Sequence, residues 1–169
     1  VYLNQFISSQ MVLDNGLTVT QTTDMPWGGT SKVTVTGGST ILRVRIPNWV
    51  GEDAVSIQKN STAYDYTVEN GYALVKVSDG ETVEIQLPMK ARRVYSNEQI
   101  EANQGKVSLA YGPLVYTFEQ DDNAFIPRFG SGEGNLGVLA DGKLTASYNK
   151  DLLGGVVTIT VPGEYYDYN

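Results

Sequence analysis

Carboxylates are the chemically capable side chains that this chain holds in quantity. Glu52, Asp53, Asp65, Glu69, Glu98, Glu101, Glu119, Asp121 and Asp122 are spread along it. Two carboxylates facing one glycosidic bond, one protonated and one ionised, suffice for hydrolysis without metal or imidazole. No spacing singles out a pair here, and the default for each residue is a turn or a solvated surface. Cysteine and histidine are both absent. That removes a thiolate nucleophile, a Ser-His-Asp relay and a zinc site of the usual ligands. No catalytic residue, cofactor-binding residue, metal ligand or cofactor is therefore assigned.

Four further motifs carry a possible chemistry. Gly132-Glu-Gly-Asn-Leu-Gly137 matches G-x-G-x-x-G. A nucleotide-binding turn of that form must open a helix, and Val138 to Gly142 lead into a turn instead, so the stretch reads as a glycine-rich loop. Asp121-Asp122-Asn123 offers hard oxygen ligands but lacks the spacing and distal glutamate of a calcium loop. Asn60-Ser61-Thr62 is a formal glycosylation acceptor. Trp27, in the Pro/Gly-rich loop Asp24 to Gly29, is the candidate for a carbohydrate or domain contact, because an indole face can stack on a sugar and loop placement favours exposure. Trp49 closes an amphipathic strand and reads as a plug at the end of the core.

These residues must be held by β-structure. The 169 residues fit one ordinary domain or two small ones. Gly, Thr, Val and Tyr are prominent, and long runs of helix formers are missing. The formal charge of −7 and the short Lys90-Ala-Arg92-Arg93 patch oppose binding to a phosphate backbone, so nucleic acid is not an expected partner. No run approaches the length of a membrane-spanning helix. The opening run Val1 to Ile7 is strand-like from its first residue, as expected of a piece of something longer.

Along the chain, Val1 to Ile7 and the alternation of Leu17, Val19 and Gln21, joined through Asp14-Asn15-Gly16, suggest a hairpin. Ile41 to Ile46 sets Leu42, Val44 and Ile46 against Arg43 and Arg45, as in a half-buried strand. Gly71 to Val77, the turn Asp79-Gly80, and Val83 to Leu87 read as a second hairpin. Asn60 to Asn70 is a loop with a brief strand, and Ser96 to Gln104 holds at most one helical turn. Val107 to Tyr111 and Leu114 to Phe118 alternate on either side of Gly112-Pro113, a pair that fits a bulge, a bend or a sheet edge, with Tyr116 and Phe118 as core. Val156 to Val161 is the last firm strand, and the tail from Glu164 frays unless its tyrosines dock. Strands every 8 to 12 residues predict an all-β, antiparallel, jelly-roll-like β-sandwich, as two consecutive subdomains at 1–90 and 91–169.

The ordered motifs resemble the β-sandwich region of glycoside hydrolase family 127, the β-L-arabinofuranosidase-like group. Tyr2-Leu-Asn-Gln-Phe-Ile7, Thr23-Asp-Met-Pro-Trp-Gly-Gly29, Leu42-Arg-Val-Arg-Ile-Pro-Asn-Trp49, Gly71-Tyr72, Leu87-Pro88-Met89, Gly112-Pro-Leu-Val-Tyr116 and Leu153-Gly-Gly-Val156 follow in that family's order. The resemblance implies that catalysis belongs to an (α/α)6 barrel whose cysteines and glutamate hold zinc, and none of those positions is in this chain. It implies a non-catalytic accessory region of a bacterial enzyme, with the barrel as partner, homo-oligomer contacts as a further role, and an exported or periplasmic location. The rival expectation is a free-standing carbohydrate-binding module that uses Trp27 and nearby tyrosines.

Overall fold

A computed structural model describes residues 1–51, 54–119 and 134–167. They form two compact units, Val1–Met89 and Lys90–Asn169. The first contains β1 (Tyr2–Leu3), β2 (Ser9–Val12), β3 (Thr18–Thr23), β4 (Thr30–Thr36), β5 (Thr40–Arg45), β6 (Ser56–Lys59), β7 (Thr62–Ala63), β8 (Thr67–Glu69), β9 (Tyr72–Val77) and β10 (Thr82–Gln86). One sheet has the order β1-β5-β9-β8 and the other β2-β3-β4-β10-β6-β7. All neighbours are antiparallel except β1, which lies parallel to β5.

Period-two alternation builds the core. Val33 and Val35 of β4 and Val83 and Ile85 of β10 meet Leu42 and Val44 of β5 and Ala73 and Val75 of β9, and all eight are fully excluded from solvent. Leu17, Val19, Ile57, Val77 and Leu87 extend the same cluster, and Trp49 packs against it, as its place at the end of a strand suggested. Buried polar groups on this face are paired: Gln21 Nε2 donates to Ser31 Oγ at 2.9 Å.

Two sequence-based pairings take a different form. The first hairpin is β2 with β3, joined through Asp14 to Gly16, while Tyr2–Leu3 joins the opposite sheet beside β5. The apparent hairpin of β9 and β10 is an arch, since β9 lies in the four-stranded sheet and β10 in the six-stranded one. Both strands turn alternate aliphatic residues toward the same core, so hydrophobic pattern alone does not separate an arch from a hairpin. Hydrogen bonds hold the arch against the neighbouring β4–β5 connection: Gly37 N–H donates to Asp79 Oδ1 at 2.8 Å and Gly80 N–H to the Val35 carbonyl at 2.8 Å. Glu81 accepts from Ser78 N–H at 2.8 Å and faces Lys59 Nζ at 3.2 Å. The Ser78 bond, ahead of the lysine, holds its carboxyl below the usual range.

The second unit has β11 (Ala91–Tyr95), β12 (Val107–Tyr111), β13 (Leu114–Tyr116), β14 (Gly134–Val138), β15 (Thr145–Asn149), β16 (Val156–Thr160) and β17 (Gly163–Asp167), with one 3-10 turn at Glu101–Asn103. β11-β12-β13 form one sheet, and β14 pairs with β17 and β15 with β16. Gly112-Pro113 is a two-residue hairpin turn between paired Tyr111 and Leu114. Gly112 takes φ 52°, which glycine supplies at the first position of a primed turn. Leu109, Ala110 and Val157 are buried, whereas Phe118 is half exposed, which corrects its assignment to the core. Phe118 lies two residues beyond β13, outside the β12–β13 pairing, which ends at Leu109 and Tyr116. Tyr116 hydroxyl donates to the Val157 carbonyl at 2.6 Å, and Arg93 Nη2 donates to the carbonyls of Leu139 at 2.6 Å and Gly142 at 2.7 Å. Within the tail, Glu164 to Asp167 lie in β17, paired with β14.

Leu42 is the most direct test of the inter-sheet core. Leu42→Ala should lower the unfolding free energy of the first unit by about 2–5 kcal/mol, through lost transfer energy and a residual cavity. Lys32→Ala, on the exposed face of β4, should change it by less than about 0.5 kcal/mol. Urea unfolding followed by tryptophan fluorescence measures both.

Candidate contact site at the Trp27 loop

The loop between β3 and β4 is built by Asp24. Its Oδ1 accepts from Thr30 N–H at 2.7 Å, and its carbonyl accepts from Trp27 N–H at 3.1 Å and Gly28 N–H at 2.9 Å. Thr23 Oγ1 donates to the Thr30 carbonyl at 2.8 Å and accepts from Met25 N–H at 3.2 Å. The Met25–Pro26 peptide bond is cis. A Cβ at position 28 would collide with the Asp24 carboxylate, and one at position 29 with the Leu87 carbonyl, so both glycines are sterically required. Gly29 carbonyl in turn accepts from Leu87 N–H at 2.8 Å. Met25 packs on the core. Asp24, Met25, Gly28 and Gly29 thus each have an internal structural role. Trp27 is 36% exposed, and its indole is not among the side chains packed on the core cluster.

Two of the other sequence candidates, Asp65 and Glu98, lie in separate clefts. Asp65 lies in a cleft of about 250 Å³ beside Tyr64 and Leu74, and Glu98 in a cleft of about 480 Å³ beside Tyr95 and Lys106. Each cleft is lined by a single carboxylate, whereas glycoside hydrolysis needs two. Glu52, Asp53, Asp121, Asp122 and Asn123 lie outside the described residues. Among the described residues no group of three or more Asp or Glu is placed to hold a metal ion. The part of the G-x-G-x-x-G match that is described, from Gly134, is strand β14 rather than the loop expected, because it pairs along its length with β17. Asn60 and Ser61 form the β6–β7 turn with φ of 50° and 65°, and Asn60 Oδ1 accepts from Thr82 N–H at 3.0 Å. A type I′ hairpin turn needs positive φ at both positions, which accounts for asparagine at the first. No helix among the described residues is long and apolar enough to cross a membrane.

One feature was not legible as a unit in the sequence. On the outward face of β1-β5-β9-β8, register places Tyr2 beside Arg43 and Arg45 beside Tyr72. Tyr2 and Tyr72 make an edge-to-face pair with centroids 5.2 Å apart, and the Arg43 guanidinium lies 5.3 Å from the Tyr2 ring centre. Tyr72 hydroxyl donates to Asn4 Oδ1 at 2.9 Å. The alternation in β5 gives Arg43 and Arg45 an outward direction, but the parallel pairing with β1 that adds Tyr2 has no local sequence signal.

Comparison with known proteins agrees with this architecture. Residues 1–89 match the family model described as the GH127 middle domain of β-L-arabinofuranosidase, and residues 91–161 match the glycoside hydrolase family 127 C-terminal domain. The chain is 33% identical to a non-reducing end β-L-arabinofuranosidase of Bifidobacterium longum subsp. longum, over 96% of this chain and 25% of that protein. It superposes with a TM-score of 0.80 and 31% identity on the crystal structure of a GH127 β-L-arabinofuranosidase from Geobacillus stearothermophilus T6, covering 96% of this chain and 26% of that one. A second GH127 β-arabinofuranosidase structure gives a TM-score of 0.78 at 23% identity, over 96% and 28%, and speaks for the fold alone. The chain thus spans about a quarter of the relatives it matches. With its two sheets packed over one aliphatic core and both of its domain models matched, the chain belongs to glycoside hydrolase family 127 and represents that family's middle and C-terminal domains.

Proposed function

We propose that the chain is the non-catalytic accessory portion of a GH127 enzyme, and that it stabilises and orients an (α/α)6 catalytic barrel carried elsewhere in a longer polypeptide. The observation that carries this reading is the pair of consecutive family matches, middle then C-terminal, within a chain that spans a quarter of its relatives. Both units are read as β-sandwich subdomains, at 1–90 and 91–169. Supporting it, the described carboxylates do not converge in the clefts they line, and cysteine and histidine are absent from the chain. The reaction of the longer polypeptide is hydrolysis of a β-L-arabinofuranoside, the activity named for the relatives.

Within this role Trp27 is a contact to the neighbouring domain. Its side chain is not among those packed on the core cluster, and a partly exposed indole provides a large, rigid contact at low entropic cost. A sugar platform is not favoured by any arrangement at this loop.

Two experiments follow. With an arabinofuranoside bearing a chromogenic leaving group, the 169-residue chain should show no hydrolysis, and the longer polypeptide should hydrolyse it. Turnover by the 169-residue chain that a single Asp→Asn or Glu→Gln change abolishes contradicts the accessory reading. Trp27→Ala should destabilise the 169-residue chain less than the longer polypeptide, because the indole is 36% exposed in the former. The same change should lower the melting temperature of the longer polypeptide. Arabinan binding by the 169-residue chain that is lost in Trp27→Ala contradicts the domain-contact role.

A further inference from the structure

The two outward faces of the first sandwich differ in kind. The outer face of the six-stranded sheet carries Thr20, Lys32, Thr34, Thr82 and Glu84, a short polar side-chain set typical of a solvated sheet surface. The outer face of the four-stranded sheet carries Tyr2, Ile41, Arg43, Arg45, Tyr72 and Leu74, rimmed by Lys76 at one end and by Thr67 and Glu69 on the edge strand β8. Tyr2 is 59% and Ile41 37% exposed. Tyrosine, arginine and large aliphatic residues are the types enriched where protein surfaces meet, and threonine, lysine and glutamate mark surface left in water.

We propose that this outward face of β1-β5-β9-β8 is the surface on which the domain preceding the middle domain docks. The inference rests on the reading that the chain is the accessory portion of a longer GH127 polypeptide. Three observations select that occupant. The matched model for residues 1–89 is the family's middle domain, so in the relatives a further domain lies on its N-terminal side. That direction of the chain leads into β1, the edge strand of this sheet, and β1 itself contributes Tyr2 to the face. The aromatic and cationic groups are already organised before any partner arrives: Tyr2 is held edge-on by Tyr72 and covered by Arg43 at 5.3 Å. Rings and guanidinium fixed in this way lose little rotamer freedom on binding.

The chemistry of the occupant follows from the face. Arg43 and Arg45 project from it in a chain of net charge −7. Their partner surface presents carboxylates or backbone carbonyls around an apolar centre that covers Ile41 and Leu74. Leu74 lies on the inner strand β9 of this face and Tyr2 on the edge strand β1, the side from which the preceding chain arrives, so these two side chains report on the contact.

Hydroxyl-radical footprinting of the 169-residue chain and of the longer polypeptide, read by mass spectrometry, tests the placement. Oxidation of Tyr2 and Leu74 should fall at least about fivefold in the longer polypeptide, the protection expected of side chains buried in an interface core. As a second measurement, Arg45→Glu should lower the melting temperature of the longer polypeptide while leaving that of the 169-residue chain unchanged, and Lys32→Glu on the opposite face should lower neither. Equal oxidation of Tyr2 and Leu74 in both proteins, with protection at other residues, overturns the docking face and leaves the accessory reading standing. Equal oxidation everywhere, with melting unaffected by removal of the preceding region, overturns both. Protection that appears in the 169-residue chain alone as its concentration rises assigns the face to a second copy and overturns the proposal.

Discussion

The first unit depends on one layer of aliphatic contacts between two sheets. Valine, leucine and isoleucine side chains from β4 and β10 on one side and β5 and β9 on the other exclude water completely. Each sheet buries its aliphatic face against the other, so each depends on the other being in place. That constraint explains why the connections alternate between sheets at β4–β5 and β9–β10, and why the arches carry their own hydrogen bonds through Asp79 and Gly80. It also fixes which side chains remain outside, since a period of two leaves every second residue of each strand for another role.

Much of this was legible in the residues. Leu42, Val44 and Ile46 against Arg43 and Arg45 gave the inward and outward sides of β5 correctly, and Trp49 lies at the end of the core where its position after that strand put it. Sheet membership was less accessible. β9, Asp79-Gly80 and β10 have the composition of a hairpin, and only the tertiary requirement to close a sandwich assigns the two strands to different sheets. Val1 to Ile7 failed as a hairpin arm because its pairing is parallel and forty residues distant, beyond any local turn signal. In the second unit Gly112-Pro113 announced a break, and its resolution into a tight turn came from the pairing of Tyr111 with Leu114.

The Trp27 loop separates structural from contact residues within a single motif. Asp24 supplies hydrogen bonds, the two glycines supply space that a Cβ would fill, and Met25 supplies packing, leaving the indole as the member with surface to offer. A motif of that composition is visible in a sequence, but the division of labour inside it is not. The carboxylates illustrate the reverse case: they are numerous in the sequence, and Asp65 and Glu98 lie in separate clefts, each the single carboxylate of its own. The accessory role proposed above accommodates both facts, because a domain that serves a neighbouring one needs a core and a contact face rather than paired acids.

Native-state amide hydrogen exchange tests the dependence of the two sheets on each other most directly. Val44 and Val75 lie in the four-stranded sheet and Val33 and Val83 in the six-stranded sheet, all within the shared core. If the sandwich is one cooperative unit, their amides exchange at a common free energy equal to that of unfolding the whole first unit, and destabilise together in mild denaturant. Exchange of one sheet at a free energy lower than the other by about 2 kcal/mol or more would contradict the account, because it would mean that a sheet can open while its partner keeps its structure.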